Sequence, residues 1–374
     1  MGDNFSRNPN VDGRERPGGA ESPVLVTGAS GFVAMHCIAQ LLNKGHRVRG
    51  TVRNKKRAER VMEVLSKYAD VSRLSLVEAE LDSDAGWQQA VAGCERILHV
   101  ASPVPRGPVK HANDLIVPAR EGVLRVLKAA AAAKVKRVVM TSSTAAVLYG
   151  HNRDGSKKYD EKDWSDLNGE VGPYEQSKTL AERAAWDYVQ ALPEADRFEF
   201  VALHPGLVLG PVLGDKEFSI SGEVIRKLMA AELPGCPDLG WAPVDVRDVA
   251  EAHILALTHP EAPGQRFILA LEHTPWQKIA QILVRHYSPK GFKIPTRRLP
   301  SWVLKLVALF DKTAGLAVPE LGKRQDVSCE RAKKVLGWKP RDVETMVVDM
   351  ADSMIRLGIV KSPRGSLQQA REAS

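Results

Sequence analysis

Six short runs rich in β-branched residues punctuate the first part of the chain: VLVT (24–27), HRVRGTV (46–52), LSLVEAE (74–80), RILHVA (96–101), RVVMTS (137–142) and FEFVALH (198–204). Between them lie FVAMHCIAQLLNKG, KKRAERVMEVLSKY, AGWQQAVAG, the Ala-rich stretch 114–134 and YEQSKTLAERAAWDYVQAL, all with apolar residues at helical spacing. Strands that alternate with helices predict a parallel sheet with helices on both faces, an α/β class. Gly45 stands where a helix-ending C′ glycine belongs.

After Gly210 the pattern changes. Pro211, Gly214, Pro234, Gly235, Pro237, Gly240 and Pro243 cluster, and helical stretches at 277–287, 301–310 and 343–357 are set apart by irregular sequence. The expected division is a leader over 1–22, a dinucleotide-binding domain over 23–210, a lobe formed mainly by 211–365 with some elements returning to the core, and a flexible tail over 366–374. The leader is rich in Gly, Pro, Asn and Arg and lacks the apolar stretch of a secretory signal.

Composition excludes several classes. With 44% hydrophobic and 26% charged residues, the 374-residue chain reads as globular. Its longest apolar stretches, 123–135 and 302–310, contain Lys or Arg and fall short of the roughly 18–20 residues a bilayer needs. No membrane partner is expected. The net charge of +8 is spread without a run of five like charges, which suits solvated faces and an anionic cofactor rather than nucleic acid. Cys37, Cys94, Cys236 and Cys329 are too far apart for a CxxC site, so reduced thiols and a cytoplasmic location are expected. His99, His204 and His253 have no spaced carboxylate partners and read as core or surface histidines, not metal ligands. Trp241, Trp276, Trp302 and Trp338 read as packing residues, and Asp245 and Asp248 as helix caps and ion-pair partners.

In TGASGFVA, Gly28, Gly31 and Ala34 form GxxGxxA between the first strand and the first helix. Gly28 permits the tight turn, Gly31 lets backbone approach a pyrophosphate, and Ala34 lets the helix pack close to the sheet. The turn and helix start, Gly28, Ser30, Gly31, Phe32 and Val33, would then face a dinucleotide with unpaired N–H groups. An NAD site needs an acid near the end of the second strand. Here that strand ends at Arg53, 25 residues beyond Gly28, followed by Asn54, Lys55, Lys56 and Arg57. A guanidinium clasps a phosphate bidentately, so NADP(H) is favoured over NAD(H).

Of six tyrosines, only Tyr174 has a lysine at i+4, Lys178. On a helix the two share a face. The ammonium is expected to favour the phenolate and bring the phenol toward a working pH, and to offer donors to a nicotinamide ribose. About thirty residues upstream, the strand end TSS (141–143) offers a hydroxyl to orient a carbonyl, from Ser143 or Ser142.

TGASGF, the Tyr-Lys pair, TSS and HPGLVLGP (204–211) together resemble the extended short-chain dehydrogenase/reductases of the NAD-dependent epimerase/dehydratase family. GTVRN, GCERILHVASP (93–103), YDEKDWSD (159–166) and SKTLAERAAWDY (177–188) are similar to its dihydroflavonol reductase, cinnamoyl-CoA reductase and aldehyde reductase group, over about 24–271. The resemblance implies a Rossmann-type doubly wound sheet with a smaller C-terminal substrate-binding lobe. It implies a Ser-Tyr-Lys triad in which Tyr174 donates the proton, Lys178 activates it and binds ribose, and Ser143 anchors the carbonyl, with Ser142 as the alternative. It also implies Val100, Ala101 and Ser102 beside the nicotinamide ribose, and Pro205, Gly206, Leu207 and Val208 against the carboxamide. Glu80 and Leu81 would hold the adenine amine, with Glu80 standing where Asp is commoner.

Two departures bear on substrate. Leu148 occupies the place of the asparagine that touches flavonoid in the plant reductases, and NGEVGPY (168–174) replaces the Asn-Trp-Tyr-Cys run of the cinnamoyl-CoA reductases. A pocket built from 103–106, Val147, Leu148 and 212–242 is expected to be largely apolar, suiting a hydrophobic aldehyde or ketone. The expected activity is therefore NADPH-dependent carbonyl reduction, reversible as alcohol oxidation, by a monomer or homodimer acting on a small molecule. Hydroxysteroid oxidation and sugar-nucleotide epimerisation or dehydration fit the same fold, and a non-enzymatic dinucleotide sensor would have no use for a proton donor.

Overall fold

The computed structural model describes residues 22–103, 109, 111–215, 221–309, 315 and 317–363. The expected tail, and the expected leader apart from Ser22, lie outside them.

All six expected strands form: β1 (Val24–Val26), β2 (Val48–Val52), β3 (Leu74–Glu78), β4 (Arg96–His99), β5 (Arg137–Thr141) and β6 (Glu199–Pro205). Each expected strand is trimmed at one or both ends, except that β6 runs one residue further, to Pro205. Between them run α1 (Phe32–Asn43), α2 (Lys55–Leu65), α3 (Trp87–Val91), α4 (Asn113–Ala132) and α5 (Pro173–Ala191). The chain turns out of α1 through Gly45, at φ +84°, with Gly45 N donating to Leu42 O and His46 N to Leu41 O, a Schellman ending. Asn54 caps α2 by accepting from Arg57 N, and Pro173 opens α5 at a position where its missing N–H removes no helix bond.

Further along come β7 (Leu207–Leu209), α6 (Gly222–Met229), β8 (Gly240–Trp241), β9 (Pro243–Asp245), α7 (Val246–Thr258), β10 (Arg266–Leu269), β11 (Thr274–Pro275) and α8 (Trp276–Tyr287). They are followed by α9 (Ser301–Val307), α10 (Glu330–Leu336) and α11 (Val343–Arg356). The main sheet has seven parallel strands in the order β10-β6-β5-β4-β1-β2-β3. Its strand order reverses between β1 and β4, and a Rossmann-type sheet binds ligand at the carboxyl edge of such a reversal.

Alternate strand residues feed two cores. Val26, Leu98, Val139 and Val201 pack with α1 and α7, while Leu25, Ile97, Val138 and Phe200 pack with α3, α4 and α5. The strands are apolar on both faces because helices cover both. A third core joins Phe32 and Leu209 to α6, α8 and α11. Asp245 caps α7 and pairs with Arg247, and Asp248 pairs with Arg341, so both acids serve as caps or partners. Trp338 is buried, its Nε1 donating to Asp248 O. Trp302 departs from the expectation: it is 65% exposed, because α9 is seven residues long and turns Leu304, not Trp302, toward the third core.

Candidate active site

The glycine turn sits at the reversal between β1 and β4. Gly28 has φ +70°, and a Cβ there would stand 3.0 Å from the Ala101 Cβ, so both its conformation and its closeness to the chain after β4 require glycine. Gly28 N donates to Thr51 Oγ1 at 2.9 Å and Ala29 N to Thr51 O at 2.8 Å, which fixes the turn to β2. Gly31 is the exposed N-cap of α1; no side chain caps the helix and its first turn holds no acid. Ala34 is fully buried against the sheet. Ser30 and Val33 remain partly exposed, whereas the Phe32 ring is buried in the third core, leaving only its backbone to the crevice. Gly50, the first residue of the GTVRN run, also supports the turn: a Cβ on it would lie 2.8 Å from the Ala29 Cβ and 2.7 Å from Leu76 Cδ2, a close approach that a glycine inside a strand signals but does not locate.

Beside the turn, exposed Arg53 follows β2, and the Arg57 Nη1 lies 3.4 Å from Ser30 Oγ. Arg57 thus joins Arg53 as a cation at the turn, a contact that only the first turn of α2 brings about. Glu80 and Leu81 follow β3; the Glu80 carbonyl accepts from Trp87 Nε1 at 2.9 Å, and Leu81 packs against Gly122 of α4, where a Cβ would stand 2.9 Å from its own.

Past β4, Ala101 N donates to Thr27 Oγ1 at 2.9 Å. The same Thr27 hydroxyl lies 3.0 Å from His99 Nδ1 and shares a hydrogen bond with it. His99 is a neutral core imidazole, pushed down to about 3 by burial and by Lys178. Val100 and Ser102 are part-buried beside it.

Tyr174 and Lys178 stand one turn apart on α5, and Lys178 Nζ donates to Ser102 Oγ at 2.9 Å. Ser143 caps the short 3₁₀ turn Thr144–Ala146, its Oγ accepting from Ala145 N at 3.1 Å, and stands near enough to the Tyr174 hydroxyl to draw its pKa down. Ser142 points elsewhere, donating to the buried Glu182. The phenol differs from the expectation. Protein packed around the hydroxyl, with the charge of Glu175, raises it to about 12 against the pull of Ser143. The ammonium does not reverse this, because Lys178 Nζ lies 5.9 Å from the ring centroid and spends a donor on Ser102. Burial pushes Lys178 down to about 8, against the charge of Glu182.

β6 ends at Pro205, and Gly206 leads into β7, which pairs with β9. The segment Pro205, Gly206, Leu207 and Val208 is therefore strand at all but Gly206. Gly206 N donates to Leu269 O and Leu207 N to Ala242 O. His204 is buried, with Nε2 2.7 Å from Glu182 Oε2, and His253 bonds Thr141 Oγ1 at 2.6 Å.

The expected apolar wall is modified. Val147 and Leu148 are fully buried in a cluster against which Tyr174 packs, so they back the phenol. Polar groups accompany them: Tyr149, whose hydroxyl accepts from Gln325 Nε2 at 2.8 Å, lies under Arg153, which pairs bidentately with Glu320 at 2.7 Å. Residues 104–106 and 216–220 of the expected pocket lie outside the described residues.

Among the described residues, no helix is long and apolar enough to cross a membrane, and no group of three or more His, Cys, Asp or Glu is placed to hold a metal ion. All four cysteines are buried and unpaired.

The family model described as "NAD dependent epimerase/dehydratase family" matches residues 24–270. The chain is similar to the NADPH-dependent methylglyoxal reductase GRE2 of Saccharomyces cerevisiae, 31% identical over 89% of this chain and 98% of that protein. It is also similar to the ketoreductase azaE of Aspergillus niger, 30% identical over 90% and 99%. Among solved structures, the yeast methylglyoxal/isovaleraldehyde reductase Gre2 complexed with NADPH aligns with a TM-score of 0.76 at 27% identity, over 91% of this chain and all of the other.

Proposed function

The chain belongs to the NAD dependent epimerase/dehydratase family, and we propose that within it the protein is an NADPH-dependent reductase of a hydrophobic aldehyde or ketone. The observation that carries this reading is the meeting, at one sheet edge, of an uncapped glycine turn with Tyr174, Ser143 and Lys178. The likeness to a methylglyoxal reductase and a ketoreductase over nearly their whole length supports it.

The residues fit the cofactor. Gly31 leaves the start of α1 open to a pyrophosphate, Arg53 and Arg57 would supply the cations for a 2′-phosphate, and Glu80 and Leu81 would take the adenine amine. Bound NADPH supplies the hydride that reduces the carbonyl carbon. Ser143 hydrogen-bonds the carbonyl oxygen, and Tyr174 delivers its phenolic proton to that oxygen as alkoxide forms. A phenol raised to about 12 keeps its proton until an alkoxide, a stronger base, appears. Lys178 binds the nicotinamide ribose and, as an ammonium, stabilises the phenolate left behind. Ser102 orients Lys178, while Pro205, Gly206, Leu207 and Val208 would hold the carboxamide.

The same reading takes residues 211–365 as mainly the substrate-binding lobe and the protein as a cytoplasmic monomer or homodimer. The test is a panel of aliphatic and aromatic aldehydes and ketones followed by NADPH absorbance, with NADH beside it. Faster oxidation of NADPH than of NADH is expected; no oxidation of either across the panel, and no reverse reaction with alcohols, overturns the reading.

A further inference from the structure

Glu182 is the most heavily bonded carboxylate near the site, and no step above uses it. It is wholly buried on α5, one turn beyond Lys178. Its Oε2 accepts from Ser142 Oγ and faces His204 Nε2 at 2.7 Å. Its Oε1 accepts from Arg266 Nε at 2.7 Å and Trp186 Nε1 at 3.2 Å. These partners come from the end of β5, from β6, from β10 and from α5 itself. Ser142 precedes Ser143, and His204 precedes Pro205, so one side chain ties the triad helix to both neighbouring strand ends of the proposed site.

We propose that Glu182 is a positioning residue, whose carboxylate fixes α5 against the ends of β5 and β6 and keeps Lys178 charged where water scarcely reaches. The geometric part stands on the four bonds. The electrostatic part rests on the reading of Lys178 given above and on the short reach between i and i+4 side chains. Lys178 is faced by His99 and Ser102 from the β4 side and by Tyr174 and Glu182 from α5. His99 is neutral and Tyr174 is protonated, which leaves Glu182 as the charge that opposes the effect of burial on Lys178. Glu182 itself is held down to about 2 by His204 and Arg266, despite burial, so it stays ionised throughout the working range.

Glutamine preserves shape and removes the charge. The Lys178 titration can be read directly by NMR in protein carrying carbon-labelled lysine, its signal assigned by loss in Lys178→Ala. In Glu182→Gln the midpoint should fall by about one pH unit, a tenfold change in the acid constant; in Glu182→Asp it should move less. With NADPH and a carbonyl substrate, the alkaline limb of kcat/KM should shift in step. A folded Glu182→Gln with an unmoved Lys178 midpoint overturns the proposal. Should that variant not fold, Glu182→Gln with Arg266→Leu removes both ends of the buried pair and is read the same way, since Arg266 does not figure among the charges acting on Lys178. The titration needs no turnover. A shifted midpoint in a protein that reduces no carbonyl would sink the reductase reading and leave this one standing.

Discussion

Replacing Gly206 with alanine tests whether the strand-like segment after β6 is held as tightly as its contacts indicate. A Cβ built there falls 2.0 Å from the Ala242 carbonyl oxygen and 3.0 Å from the Ala270 Cβ. Neither side can yield freely, because Ala242 O accepts from Leu207 N at 2.8 Å and Gly206 N donates to Leu269 O at 3.1 Å. Reaching an ordinary contact of 3.4 Å requires a shift of about 1.4 Å, enough to break one of those bonds. Overpacking costs ~1–3 kcal/mol and a stranded buried carbonyl ~1–3 kcal/mol more, so a loss of about 2–6 kcal/mol is expected. A displacement above about 1 Å beside the proposed nicotinamide site should also lower turnover roughly 100-fold. Gly264→Ala is the control: its φ is +76° but no atom lies within 4 Å of the added Cβ, so strain alone should cost roughly 1–2 kcal/mol. Urea unfolding of the two variants, with NADPH turnover, decides the matter. Gly206→Ala no less stable than Gly264→Ala would refute the reasoning.

Tyr174→Phe should bind NADPH within about twofold of wild type by fluorescence titration and lose roughly 10²–10⁴ in kcat; equal loss of binding would mean the phenol holds cofactor instead. Arg53→Ala and Arg57→Ala should each raise the NADPH dissociation constant about tenfold and leave NADH unchanged, an outcome read by titrating both cofactors. Lys178 is an ammonium below about pH 8 and loses its proton as pH rises through that value, whereas Tyr174 stays protonated to about 12. Stopped assays across pH should therefore show kcat/KM level below pH 8 and falling about tenfold per unit above it.

The glycine turn was legible because its residues are consecutive and each has a mechanical reason that holds wherever the turn sits. The same is true of Tyr174 and Lys178, since an i, i+4 spacing puts two side chains on one helix face in any fold. Arg57 was harder: the sequence shows a cation in the run after β2, but its reach to Ser30 depends on how Asn54 starts α2. Asp245 was readable as a cap from its place before a helical stretch, whereas Trp302 read as buried merely because tryptophan is large and apolar.

Local sequence by itself determined the α/β alternation, the dinucleotide turn and the tyrosine–lysine pair, because helix and strand periods act over a few residues. It left Ser142 and Ser143 open, and the tertiary structure gives them different neighbours: adjacent residues at a strand end point to opposite sides, so Ser143 acts on the Tyr174 phenol while the Ser142 hydroxyl is taken up by Glu182. The phenol's high pKa and the four bonds on Glu182 were likewise invisible in sequence. Desolvation and long-range hydrogen bonds are set by which residues from distant strands crowd one atom, and that is fixed only when the sheet order is.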